Sequence, residues 1–214
     1  MKQHSAQSEV RLSLSLIIVI AAYISTQLIS NIASLKIGIV LGCAVDMGTF
    51  LYPLTFTLRD LVHKGAGKRH SQTVILTSGA ITLLMAVFFF LISFVPGDPS
   101  WGLDSQFSAV LKPVWRIALS SIAAQIISEM LDTEAYHLFI TKVTARYQWL
   151  RVLVSNAVSV PVDTLVFCVG AFAFAMPASV VIEIFIFNVV LKYAVTVLSL
   201  PMIYLVKTPK GATQ

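Results

Sequence analysis

RIALSSIAAQIISEMLDTEAY, residues Arg116 to Tyr136, decides how the whole chain is read. Long runs of Ile, Leu and Ala carry Arg116, Gln125, Glu129, Asp132 and Glu134. Gln125, Glu129, Asp132 and Tyr136 recur at i, i+4, i+7 and i+11, which places them on one face of a helix. A charged group at the centre of a bilayer costs about 3 kcal/mol or more. Such a stripe therefore faces a bundle interior or a water-filled path, and this helix is expected to line a substrate site.

The surrounding composition makes lipid the solvent. Of 214 residues, 57% are hydrophobic and 12% are charged, with a mean hydropathy of +0.85. Soluble domains carry about 25% charged residues. So much apolar surface exceeds what a soluble core hides, so the net charge of +5 is a matter of loop distribution, not nucleic-acid binding. Cys43 and Cys168 have no paired or metal-ligand spacing and are expected as lone buried thiols.

The pattern is that of an all-α integral membrane protein, a bundle of six transmembrane helices. The expected spans are Leu12–Ser34, Asp46–Val62, Thr73–Val95, Pro113–Ile140, Leu150–Met176 and Ala178–Val206. The first run continues towards Ile32, too long for the apolar region of a signal peptide. One transporter domain is expected over 12–206, with tails at 1–11 and 207–214. Eleven basic residues fall on one side: Lys2, Arg11, Arg59, Lys64, Lys68, Arg69, Lys142, Arg146, Arg151, Lys207 and Lys210. That asymmetry puts both termini in the cytoplasm.

Three segments need separate readings. Leu35–Val45, with Gly38 and Gly42, either extends a helix, offers a GxxxG packing face, or forms a re-entrant or hairpin-like segment. Pro53, inside the second span, implies a kink or an unwound turn. PGDPSWGLDSQFSAVLKP, 96–113, reads as a loop, with Trp101 at the outer interface.

Two further polar stripes follow. Asn156, Ser159 and Asp163 share a face of the fifth span, which Pro161 bends or breaks. Asn188, Lys192, Thr196 and Ser199 share a face of the sixth. Lys192 is too deep to reach water and needs an acid, with Asp163 and Glu129 the first partners to test. Asp60 and Glu134 are expected in salt bridges at helix ends. There is no HExxH, no GxSxG and no histidine cluster with metal spacing. GAGK at Gly65–Lys68 lacks the spacing of a phosphate loop and reads as a glycine-rich turn. A small-molecule carrier fits these observations best, with no cofactor.

PLTFTLRDLVHKGAGKR (53–69), RIALSSIAAQIISEMLDTEAYHLF (116–139), LRVLVSNAVSVPVDTLVF (150–167) and VLKYAVTVLSLPMIYLV (190–206) occur in that order. Together they resemble the queuosine precursor transporters, also called the vitamin uptake transporter family, over about Asn31–Val206. The resemblance implies uptake of 7-cyano- or 7-aminomethyl-7-deazaguanine across the bacterial inner membrane for queuosine salvage in tRNA. A guanine-like edge offers adjacent N–H and NH2 donors, which Glu129 or Asp163 would accept, with Asn156 or Gln125 on the carbonyl side. Phe50, Tyr52 or Phe167 would stack on the ring. Arg116 would guide entry or pair with an acid, and Asn188, Lys192 and Asp132 complete the expected site. The expected mechanism is alternating access without ATP, hinged at Pro53 and Pro161, with proton coupling motivated by Glu129 and Asp163. The competing readings are a binding component that needs a separate energising complex, and a non-transporting scaffold. The expected partners are a small-molecule substrate and the bilayer, and a homodimer would be unsurprising for so small a bundle.

Overall fold

Polar side chains occupy the interior of this protein and apolar ones coat it. In the computed structural model, which describes residues 14–142 and 148–199, buried polar side chains outnumber buried apolar ones. Leu76, Leu84, Phe88, Leu91, Ile182, Ile186, Val190 and Leu198 are all exposed. This inside-out distribution is stable only where lipid covers the outside.

The chain runs α1 (Leu14–Ala33), β1 (Ile37–Val40), β2 (Cys43–Asp46), a 3-10 turn (Met47–Phe50), α2 (Pro53–Ala66), α3 (Lys68–Ile92), α4 (Asp104–Leu111), α5 (Val114–Lys142), α6 (Gln148–Phe172) and α7 (Ala178–Ser199). Among the described residues, four stretches are long and apolar enough to cross a membrane: Leu14–Ala33, Arg69–Ile92, Asp104–Leu131 and Ala178–Leu198. The apolar part of α6, Asn156–Phe172, is shorter. The 14 residues of α2 reach only about 21 Å, less than a bilayer core.

The second expected span is therefore corrected. Its first third is not helix but β2 and the 3-10 turn. β1 and β2 form an antiparallel hairpin with Ile37 opposite Asp46 and Val40 opposite Cys43. Leu41 (φ 52°) and Gly42 (φ 83°) make its two-residue turn, both in the left-handed region that a tight hairpin of this kind demands. Of the readings open for Leu35–Val45, the hairpin is the one observed. Glu183 on α7 accepts the Ala44 N–H at 3.0 Å and ties the hairpin to the bundle. Asp46 closes β2 and accepts the Gly48 N–H at 2.9 Å, which caps the 3-10 turn. Pro53 then stands in the first turn of α2, where its missing N–H costs nothing. It starts a helix and does not kink one.

Other expectations resolve similarly. Gly67 (φ 83°) is the turn between α2 and α3, so the glycine-rich segment is a helix connection. Residues 104–111, read as loop, form α4, with Trp101 packed edge-to-face on Phe107 at 5.4 Å. Cys43 is exposed on the hairpin, and only Cys168 is buried. α6 continues unbroken through Pro161. The tails, residues 143–147 and the end of the sixth expected span lie outside the described residues.

The ends of α1 and α6 and the starts of α5 and α7 gather around the hairpin. Ala44, Ile117, Ala171, Phe172 and Ile184 form one cluster there, with Leu35 and Ile37 against it. α5 packs most extensively on α6. The 3-10 turn lies so close to α1 that a Cβ on Gly48 would overlap the Ser34 hydroxyl and the Ser30 carbonyl, whereas one on Gly79 would meet open space. Gly48→Ala is expected to destabilise by about 1–3 kcal/mol through overpacking. Gly79→Ala, in the interior of α3, is expected to be neutral or stabilising by up to about 1 kcal/mol. Melting of the two purified variants in detergent checks the contrast.

Candidate functional site

The site grows from the proline of α6. Pro161 has no N–H, so the Ala157 carbonyl one turn earlier has no helical donor. The Tyr193 hydroxyl of α7 donates to that carbonyl at 2.9 Å. This seats the two helices in one register, and the side chain before Tyr193 enters the bundle. Lys192 Nζ donates to Asp163 Oδ2 at 2.7 Å and to the Thr164 hydroxyl at 3.0 Å. Asp163 is fully buried and Lys192 is 2% exposed. Thr164 donates its own proton to the Val160 carbonyl at 2.7 Å. Of the two partners open for Lys192, Asp163 and Glu129, the structure pairs it with Asp163.

Tyr52 joins the pair from the segment before α2. Its hydroxyl approaches Asp163 Oδ1 at 3.4 Å, and Lys192 Nζ stands 4.8 Å from its ring centroid. Two clefts meet at this tyrosine. The one on the hairpin side is a narrow cleft lined by Asn31, Ser34, Asp46, Thr49, Asn188 and Lys192, with Tyr52 and Phe167 as its aromatic walls. The other, equally narrow, lies between Tyr52, Tyr23, Gln27, Thr55, Phe56, Arg59, Gln125 and Ser128. Its residues come from earlier turns of α1 and from α2 beyond Pro53, so it is displaced towards the Gly67 end.

The clefts differ in how their polar groups are used. On the Gly67 side, Gln27 donates to Gln125 at 2.7 Å, Gln125 donates to the Tyr23 hydroxyl at 2.5 Å, and Ser78 reaches Gln27 at 3.4 Å. On the hairpin side, Asn31 Nδ2, Thr49 Oγ1 and Asn188 Oδ1 are buried with no hydrogen-bond partner among the described residues. An unpaired buried polar group costs about 1–3 kcal/mol. The hairpin-side cleft thus holds a donor, an acceptor and a hydroxyl without a partner among the described residues.

Of the residues expected to form the site, Tyr52, Asp163, Asn188 and Lys192 come together around the hairpin-side cleft. Gln125 lines the second cleft. Asn156 is buried on α6, and Glu129 is half-buried on α5; neither lines either cleft. Arg116 donates to the Ala171 carbonyl at 2.8 Å, clamping the C-terminal end of α6, where a cation is favourable. Phe50 lines neither cleft. It is turned outward, 50% exposed, with its ring 6.2 Å from Phe187. The side chain of Asp132 lies outside the described ones. Asp60 pairs with Arg59 at 3.6 Å, as expected of a helix-end acid.

Several site residues had gone unread. Tyr23, Gln27, Asn31 and Ser34 repeat at i, i+4, i+8 and i+11, a stripe the helical-spacing rule detects, but its uncharged members sit in a strongly apolar run. Asp46 was read as a helix start. Arg59 was counted among loop charges, yet it is 8% exposed and its guanidinium lies 5.5 Å from the centre of the Phe56 ring.

A family model described as "Putative vitamin uptake transporter" matches residues 46–206. The chain belongs to that family. A curated relative from Bacillus subtilis (strain 168), described as "Probable queuosine precursor transporter", is 29% identical over 182 residues, 83% of this chain and 78% of the relative. No solved structure matches the chain. The family is one of transporters and not of enzymes, and its member here is a multi-pass membrane protein.

Removing one partner of a buried pair leaves the other charge stranded, at a cost of about 3–5 kcal/mol. Asp163→Asn and Lys192→Met are each expected to lower the melting temperature in detergent markedly. The double variant should recover much of the loss, and a double-mutant cycle reads the coupling.

Proposed function

We propose that this transporter imports a queuosine precursor, 7-cyano- or 7-aminomethyl-7-deazaguanine, across the bacterial inner membrane for salvage into tRNA. The observation that carries the reading is the Asp163–Lys192–Tyr52 junction between two polar clefts displaced towards opposite ends of the bundle. A solute binds first among the unpaired groups of the hairpin side. Rearrangement at Tyr52 then opens the path to the Gln27–Gln125 cleft. The curated relative's description supports the substrate class.

Six crossings, with both termini on the cytoplasmic side, complete the proposal. α2 supplies only part of its crossing, and the 3-10 turn and hairpin supply the rest. Irregular backbone at membrane depth is tolerated where it lines a cavity, as here. Pro161 remains the hinge of choice, because the Ala157 carbonyl is held by a single side chain and not by the helix. Transport runs without ATP, and the buried acids Asp46 and Asp163 beside Lys192 motivate proton coupling.

The test is made in a strain that cannot synthesise the precursors but can use them. Expression of the chain should restore queuosine in tRNA when 7-cyano-7-deazaguanine is supplied, and Lys192→Met should reduce initial uptake at least about tenfold, equivalent to about 1.4 kcal/mol. Restoration by an empty vector, or none by the wild type when it is present in the membrane, would sink the reading. Collapse of the proton gradient should slow uptake; unchanged uptake removes the coupling. Transport by the purified chain alone in liposomes would exclude a separate energising complex.

A further inference from the structure

We propose that Asp46, held at the end of the hairpin, is the carboxylate that reads the donor edge of the ligand and so sets its specificity. This rests on the reading of the hairpin-side cleft as the site of a 7-deazaguanine. A carboxylate facing adjacent N–H and NH2 donors accepts both, and such charge-assisted bonds are among the strongest available to a neutral base.

Four acids compete for the role, and three are otherwise placed. Asp163 has Lys192 on one oxygen and the Tyr52 hydroxyl near the other, and it lines neither cleft. Glu129 lines neither cleft. Glu183 is exposed and holds the Ala44 N–H. Among the described residues, Asp46 alone is a buried carboxylate in the wall of either of these two clefts.

Its surroundings match the rest of such an edge. One oxygen accepts the Gly48 N–H at 2.9 Å, which fixes the carboxylate before any ligand arrives. The Ser34 hydroxyl and the Asn188 amide also approach it; with about four acceptor sites in all, the carboxylate keeps one for the ligand and takes the second ligand donor in place of one of these two side chains. Asn31 Nδ2, buried without a partner in the same cleft, is a free donor for the ring carbonyl that adjoins the N–H of a guanine edge. Phe167 and Tyr52 supply the flat apolar walls a bicyclic ring needs. Asn188 Oδ1 is a spare acceptor for a further N–H.

The experiment is calorimetry on the full-length, detergent-purified chain with 7-cyano-7-deazaguanine and its analogue lacking the 2-amino group. The wild type should prefer the amino compound by about 10- to 150-fold, the worth of one hydrogen bond to a charged group. Asp46→Asn should weaken the amino compound and bring the two ligands to within about threefold. Asp46→Ser keeps a side-chain oxygen to cap the 3-10 turn and should behave alike, so a misfolded first variant does not decide the matter. Equal binding of the two ligands by the wild type overturns the inference. So does a folded variant that keeps the wild-type preference, and that result leaves the proposed substrate standing. If the wild type binds neither compound while folded, the proposed substrate falls and this inference falls with it.

Discussion

A lysine cannot stay charged in the middle of a bilayer without a partner, and the bundle is arranged around supplying one. Lys192 meets Asp163 at 2.7 Å with almost no solvent on either side. Desolvation of two such charges costs several kcal/mol each, which attraction alone offsets only when the geometry is good and the remaining hydrogen bonds are made. Thr164 and Tyr52 help to make them. The requirement also ties three distant parts of the chain together. Asp163 and Thr164 come from α6, Lys192 from α7, and Tyr52 from the turn between the 3-10 segment and α2. None of the three can shift without leaving a charge poorly covered.

The pair also explains why a short helix and a hairpin occupy a place where a full helix was expected. A straight helix from Asp46 onward would carry Asp46, Thr49 and Tyr52 down one continuous rod. The hairpin and the 3-10 turn instead let Asp46 and Thr49 enter the cleft, Tyr52 cover Lys192, and Phe50 face outward. Gly48 permits the close approach to α1 that this path requires. The result is asymmetric in a way that suits passage of a solute. Polar groups bind one another on the Gly67 side, whereas on the hairpin side Asn31 Nδ2, Thr49 Oγ1 and Asn188 Oδ1 have no partner among the described residues.

Much of this was legible from residue spacing. The stripes on α5, α6 and α7 announced an interior-facing polar surface, and the depth of Lys192 required an acid that proved to be Asp163. The stripe on α1 followed the same rule but, lacking charge, gave little contrast against its apolar surroundings. Pro53 misled because hydropathy runs without a break from the hairpin into α2, so the proline looked internal to a helix that it begins. Arg116 was the reverse case, a charge at a helix end whose use was local: it closes the carbonyl end of α6.

Sequence alone determined that this is a membrane bundle, that α6 and α7 turn a polar face inward, and that Lys192 needs an anionic neighbour. These follow from transfer energies and helical periodicity, which are properties of each segment by itself. Tertiary structure decided which acid pairs with Lys192 and which one is left to line a cleft, that Tyr52 turns inward and Phe50 outward, and which polar groups remain unpaired. Those outcomes depend on the rotation and depth of one segment against another, and a residue's own spacing carries no record of its neighbours across the bundle.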